Sequence, residues 1–166
     1  EILNEHRAAG LIDAFGGSNW THDRIAEANA YAEAQGLVPF VASSPQFSLA
    51  EMIRPPWEGC VSISGPNQAA ARRYYERTGV ALFTWSSLAG GFLSGRYRRD
   101  NLDQLTERQD ELVKNSYVSD ANFGRLERAE ALAQAKGLTV PQIALAYSQN
   151  HPLELFSLVG CRTPAE

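Results

Sequence analysis

A parallel α/β architecture is the fold class this sequence predicts, and three observations predict it. Apolar runs alternate with stretches of helical periodicity from one end of the chain to the other. The runs, "LIDAFGG", "LVPFVAS", "VALFTWS" and "LELFSLVG", are apolar at almost every position instead of every second one, which suits strands covered on both faces and argues against an open antiparallel sheet. At 166 residues, 44% of them hydrophobic, the chain can bury one sizeable core, so one domain over residues 1–166 is expected.

In order, "EILNEHRAAGL" reads as the last turns of a helix, with Gly10 available for a left-handed stop. "LIDAFGG" follows as a strand. Thr21 can cap the helix "HDRIAEANAYAEAQG", whose Ile25, Ala28, Tyr31 and Ala32 keep one side apolar until Gly36 ends it. After the second strand, "LVPFVAS", comes a long stretch, "SPQFSLAEMIRPPWEGCVSISGPN", whose prolines and glycines suit no regular element. A loop of that length in a compact domain is expected to be functional or packed as a lid, with a short strand at "CVSIS". Asn67 opens the helix "QAAARRYYERTG", and "VALFTWS" is the third strand, running into "SLAGGFLSGRYRRD". The polar segment from Arg96 to about Asn115 is expected to be mobile, with Arg98 and Arg99 on a solvated face. "ANFGRLERAEALAQAKG" and "TVPQIALAYSQN" read as two helices, with Pro141 in the first turn of the second, where its missing N–H costs nothing. "LELFSLVG" is the fourth strand. Four strand–helix units are half of an eight-stranded β/α barrel, and a flavodoxin-like open sheet has the same order of elements.

Composition narrows the function classes. The formal net charge of -4 offers no basic stripe for nucleic acid, and no run is long and apolar enough to cross a membrane. Cys60 and Cys161 lack metal-ligand or redox spacing, so two free thiols in a reducing compartment, the cytoplasm, are expected. His6, His22 and His151 are scattered without ligand spacing and are expected at the surface, and no metal site is assigned. The chain opens on Glu1 without an initiator Met or a signal-peptide pattern and stops at "RTPAE", so a piece of a longer polypeptide is expected.

In parallel α/β folds ligands sit beyond the carboxyl ends of the strands. There the sequence places Ser18, Asn19 and Trp20; then Ser43, Ser44 and Gln46; then Trp85, Ser86, Ser87, Leu88 and Gly90; then Gly160, Arg162 and Thr163. These groups suit binding over proton transfer, because hydroxyls, amides and an indole cannot be tuned to a pKa near neutrality. Carboxamides recognise another carboxamide, an indole stacks on a flat ring, and a Ser- and Gly-rich loop lets backbone N–H groups approach phosphate oxygens, with arginine for a further phosphate. A nucleotide bearing a carboxamide ring matches that set. Taken singly, each feature has a plainer reading: Asn19 can brace a helix start, Trp85 can be core, and "LAGGFLSG" lacks both the Walker lysine and the dinucleotide spacing.

Together, "GGSNW", "PQFSL", "TWSSLAGGFLSGRY", "KGLTVPQIALAY" and "VGCRTPAE", in this order and at these intervals, resemble the aldo-keto reductases, NADPH-dependent oxidoreductases built on a (β/α)8 TIM barrel. The resemblance implies that the four strands are the fifth to eighth of that barrel and that the N-terminal half of the same barrel is their partner. It implies that Ser18, Asn19 and Gln46 bind the nicotinamide carboxamide and that Trp85 stands where the family has an aromatic residue stacked on the nicotinamide. Ser86, Ser87, Leu88 and Gly90 match the pyrophosphate loop, and Gly160 and Arg162 the start of the adenosine 2'-phosphate site. The implied reaction is reduction of an aldehyde or ketone. The family's catalytic Asp, Tyr, Lys and His come from the first four strands, so no catalytic residue is assigned within this chain. Some relatives of this fold resemble channel-associated subunits, which keeps a non-catalytic nucleotide-binding regulatory module as the alternative. Glu166 falls where the family commonly has Gln, and a carboxylate there disfavours a 2'-phosphate; NADP is the expected cofactor, with NAD left open. "GCVSISG" also departs from the family's usual connection after the sixth strand.

Overall fold

The computed structural model describes residues 1–160. The chain runs α1 (Ile2–Ala8), β1 (Gly16–Ser18), α2 (His22–Ala34), β2 (Ala42–Ser44), α3 (Ala69–Thr78), β3 (Ala81–Thr84), α4 (Arg108–Tyr117), α5 (Asp120–Lys136), α6 (Val140–Gln149) and β4 (Leu155–Ser157). Short 3-10 turns lie at Pro66–Gln68, Ala89–Ser94 and Leu102–Gln104. The strands form one parallel sheet in the order β1-β2-β3-β4, with Gly16 opposite Ala42, Ala42 opposite Ala81 and Leu82 opposite Leu155. Sheet order that follows chain order is how a β/α barrel is wound; a flavodoxin-like sheet reverses direction after its first strand.

The paired strands are shorter than the apolar runs, and the backbone leading into β2 shows why. Asn4 of α1 accepts from Val38 N (2.8 Å) and donates to Val38 O (3.1 Å), and Asn29 of α2 does the same at Phe40 (2.8 and 3.0 Å). Two carboxamides thus clamp the approach to β2 where a neighbouring strand would otherwise pair. In β1 glycine is required for close approach. A Cβ on Gly16 would overlap the Ala42 carbonyl, and one on Gly17 would come within 2.8 Å of Ile25 Cδ1.

Two clusters form the core. Ile25, Phe47, Ile63, Tyr75, Val80 and Leu82 pack between the sheet and α2 and α3. Phe92, Leu93, Tyr97, Val113, Tyr117, Phe123 and Leu126 pack beneath α4 to α6 and the turn after β3. Fully buried side chains such as Phe47, Phe92 and Leu82 each contribute about 1.5–3 kcal/mol. The sheet's other face differs from the expectation of strands covered on both sides: Phe83 and Phe156 stack on each other there at 5.3 Å and are 40% and 51% exposed. No described element packs over them.

The expectation of a mobile Arg96–Asn115 is corrected. Residues 108–117 form α4, opened by a capping box between Glu107 and Asp110, and Asp110 is 2% exposed although it sits in a polar run. Its carboxylate accepts from Tyr97 Oη and Arg96 Nη2, each at 2.8 Å, and from Glu107 N at 3.3 Å. Burial alone would raise the Asp110 pKa, but the hydrogen bonds from Tyr97 and Arg96 outweigh it and hold the carboxyl below its ordinary value. Tyr97 is pushed up to about 12, by burial first and then by that bond. Thr21 caps α2 through Arg24 N and Pro141 lies in the first turn of α6, both as expected, and a capping box between Thr139 and Gln142 opens α6. In α2, Ile25 and Ala32 are buried whereas Tyr31 is 49% exposed, so the apolar stripe is narrower than its spacing suggested.

Candidate functional site

The carboxyl ends of β1, β2 and β3 carry the candidate site, and the backbone there is strained. Asn19, Ser86 and Ala89 are the non-glycine residues with positive φ among those described (53°, 53° and 54°), and all three follow β1 or β3. Asparagine adopts this conformation readily, whereas for serine and alanine it costs about 1 kcal/mol each. Strain of this kind concentrates where a chain must present particular groups.

Ser18 is exposed at the end of β1. Asn19 N donates to Ser44 O (3.1 Å) and its Oδ1 accepts from Val61 N (3.2 Å), while Nδ2 has no partner among the described residues. Trp20 points away from the strand ends, packing on Phe40 and beneath the Arg24 guanidinium.

Gln46 is wholly buried, and its amide is fully engaged inside the protein. Oε1 accepts from Ser62 Oγ (2.6 Å) and Ser64 Oγ (3.0 Å), and Nε2 donates to Ser48 Oγ (2.9 Å) and, at 3.4 Å, to Ser86 O. "CVSIS", expected as a short strand, makes one parallel bridge, Gln46 to Ser62, flanked by Gln46 N to Val61 O and Ile63 N to Gln46 O. Gln46 also bridges to Trp85, so the pairing of β2 with β3 continues past the strand ends into the site.

Past Trp85 the chain turns sharply. Ala89 N bonds Ser86 O, and Gly91 N and Leu93 N both bond Leu88 O, but the N–H groups of Ser86, Ser87 and Leu88 donate to nothing among the described residues. Gly90, with φ +64°, has no room for an easy side chain, since a Cβ would sit 3.2 Å from Val113 Cγ2. Successive N–H groups beside left-handed residues can form an anion-binding concavity when their bonds are not made within the protein. The Trp85 ring stacks on Trp57 at 5.2 Å and 26°, and the pair borders a cavity of about 80 Å³ shared with Gly90, Val113 and Ser116. Trp85 Nε1 and Ser116 Oγ are enclosed there without hydrogen-bond partners among the described residues. Gly160 is exposed; Arg162, with Cys161 and Glu166, lies outside the described residues.

The structure thus brings Asn19, Gln46, Trp85, Ser86, Ser87, Leu88 and Gly90 along one sheet end, with Ser18 beside them. Sequence reasoning missed Trp57, Val61 and the Arg96–Tyr97–Asp110 latch, because each acts through a partner distant in the chain. The histidine expectation is corrected in part. His6 is exposed, but His22 is half-buried, and His151 lies edge-on to Phe47 at 5.3 Å with an enclosed, unpartnered Nδ1. Burial lowers the His151 pKa, with the Arg72 charge adding to it. Cys60 is partly buried and pairs with no cysteine among the described residues. No helix among the described residues is long and apolar enough to cross a membrane.

Known proteins resemble this chain in sequence. A versiconal hemiacetal acetate reductase of Aspergillus parasiticus is 29% identical over 119 residues, 67% of this chain and 34% of its own. A probable voltage-gated potassium channel subunit beta of Oryza sativa subsp. japonica is 24% identical over 86% of this chain and 41% of its own. The uncharacterized oxidoreductase YrpG of Bacillus subtilis (strain 168) is 26% identical over 98% of this chain and 44% of its own. The chain therefore spans less than half the length of these curated relatives. The model of the aldo/keto reductase family matches residues 1–166 throughout, and with a parallel sheet wound in chain order and its polar groups gathered at the strand ends, this chain belongs to that family.

Proposed function

We propose that this sheet end holds a nicotinamide dinucleotide, and that residues 1–166 are the cofactor-binding half of a (β/α)8 reductase acting on an aldehyde or ketone. The observation that carries the reading is the set of unpaired N–H groups at Ser86, Ser87 and Leu88, beside two strained residues and Gly90. Such donors fit a pyrophosphate, which needs several directed bonds without a side chain in the way. Asn19 Nδ2 and the exposed Ser18 hydroxyl are free to meet a carboxamide. Trp85 supplies the flat surface. Gln46 supports the site from behind, holding Ser62, Ser64 and the Ser86 carbonyl; for it to touch the carboxamide directly, one of those bonds must exchange. Gly160 and Arg162 take the 2'-phosphate of NADP, against the carboxylate of Glu166, which favours NAD. When bound, the cofactor supplies the hydride.

The strands are read as the fifth to eighth of the barrel. The share of each relative that the chain covers supports this, and so does the uncovered face at Phe83 and Phe156, which the N-terminal half would bury. That half would also supply the proton donor, since Tyr74, Tyr75, Tyr97 and Tyr117 are buried beneath helices or loops and the exposed Tyr31 and Tyr147 lie on the helices α2 and α6. The match to a potassium channel subunit beta favours a second reading, a nucleotide-binding regulatory subunit of the same fold. Carbonyl turnover by the full-length protein separates the two.

The test is titration of the full-length protein with NADPH and NADH. Binding should quench tryptophan emission, and Trp85→Ala should remove most of the quench and weaken binding. An unchanged quench and affinity would refute the stacking assignment. Arg162→Ala should weaken NADPH more than NADH, by about 1.5–3 kcal/mol for a charge-assisted contact.

A further inference from the structure

Three separate contacts place one segment, Trp57 to Ser64, on the groups to which the proposed function assigns the nicotinamide. The Trp57 indole lies on Trp85 at 5.2 Å and 26°. Val61 N donates to Asn19 Oδ1 at 3.2 Å. Ser62 and Ser64 hydroxyls occupy Gln46 Oε1. A flat ring on the stacking surface and an amide N–H on the asparagine oxygen are what a carboxamide-bearing ring would itself present.

The segment is built in two parts. Its base is fixed, with Ile63 and Ser64 buried and Ile63 N bonded to Gln46 O. Its tip, Trp57 to Gly59, is exposed, and Gly59 takes φ +83°, a turn that glycine makes without strain; before the tip the chain is anchored by Ile53 N on Ser116 O. Trp57 itself is 55% exposed, and Trp85 is its aromatic partner among the described residues. A large indole left more than half in water contributes little to the core; it covers Trp85.

We propose that Trp57 is a built-in competitor for the nicotinamide: it covers Trp85 in the free protein and swings away with the tip when the cofactor ring binds, while Val61 N releases Asn19 Oδ1 and the base stays in place. The inference rests on the reading that the ring stacks on Trp85, on the face that Trp57 covers. Two rings cannot occupy one face of an indole at stacking distance. A sandwich of the ring between both tryptophans would leave neither of its faces open to a carbonyl, so displacement is the productive arrangement. Because the closed form must open first, the apparent affinity is reduced by the fraction of protein already open.

The experiment uses the full-length protein, with calorimetry for affinity and circular dichroism for the exciton couplet of two stacked indoles. The free protein should show the couplet, Trp57→Phe should abolish it, and NADPH should abolish it in the unsubstituted protein. Trp57→Ala should bind NADPH about two- to tenfold more tightly, the size expected from losing one aromatic pair. Trp57→Ala with unchanged or weaker affinity, while Trp85→Ala still weakens binding, overturns the inference and leaves the site reading standing. Unchanged affinity in Trp85→Ala overturns the site reading and this inference with it. Since Trp57 is exposed, a thermal midpoint close to that of the unsubstituted protein is expected and shows that the affinity reports the loop.

Discussion

The loops after β2 and β3 occupy equivalent places at the same end of the same sheet, yet they use their polar groups in opposite ways. In the first, Gln46, Ser48, Ser62, Ser64 and Asn19 Oδ1 satisfy one another and the backbone of residues 61–64. In the second, Ser86 and Ala89 hold unfavourable backbone angles and three successive N–H groups stay open. The difference shows that a polar residue at a strand end is not a ligand group by position alone. What decides is whether its hydrogen bonds are already made inside the protein.

Substitutions can break or sharpen this contrast, and the largest effect belongs to the closed loop. Gln46→Leu strips the partner from the Ser62 and Ser64 hydroxyls, of which Ser64 is 2% exposed, and should cost about 3 kcal/mol in urea unfolding of the full-length protein. A loss below about 0.5 kcal/mol, the size of an ordinary surface change, would mean that the network does not hold the loop. A smaller effect is expected at the latch that closes the far end of the open loop. Because the folded pKa of Asp110 is depressed, its contribution to stability is present above the ordinary carboxylate value of about 3.9 and is lost as pH falls through the lower folded value. Asp110→Asn should therefore lower the thermal midpoint at pH 7 and lessen its fall in acid; an unchanged acid limb would contradict the role. The smallest change is Ser86→Gly, which relieves a positive φ at a residue outside the buried core and, after the added freedom of the unfolded chain, should alter stability by less than about 1 kcal/mol in the stabilising direction. Clear destabilisation would show that the angle is not strained.

The order of elements, the double glycine of β1 and the residues just past β1, β2 and β3 were legible, because each is set by local pattern or by a requirement at one position. The Asn4 and Asn29 clamps were not, since a carboxamide on a helix gives no sign of the strand backbone it will hold 34 or 11 residues away. The helix α4 was hidden for a related reason. Its buried residues, Asp110, Val113, Ser116 and Tyr117, include only two apolar side chains, so the stripe reads as polar until Asp110 is seen to accept from Arg96 and Tyr97. Gln46 was legible as a site residue by position, but its four internal partners come from three separate stretches of chain and had no local signal. The length of the loop after β2 alone marks it as functional or packed as a lid; the stacking of Trp57 on Trp85 had no local signal.

Amide hydrogen exchange on the full-length protein with and without NADPH tests most directly the claim that the loop after β3 is the open, phosphate-binding one. The N–H groups of Ser86, Ser87 and Leu88 should exchange quickly in the free protein and become protected on binding, while Ile63 N, bonded to Gln46 O, stays protected throughout. Cofactor that binds without slowing exchange at residues 86–88 would contradict the account.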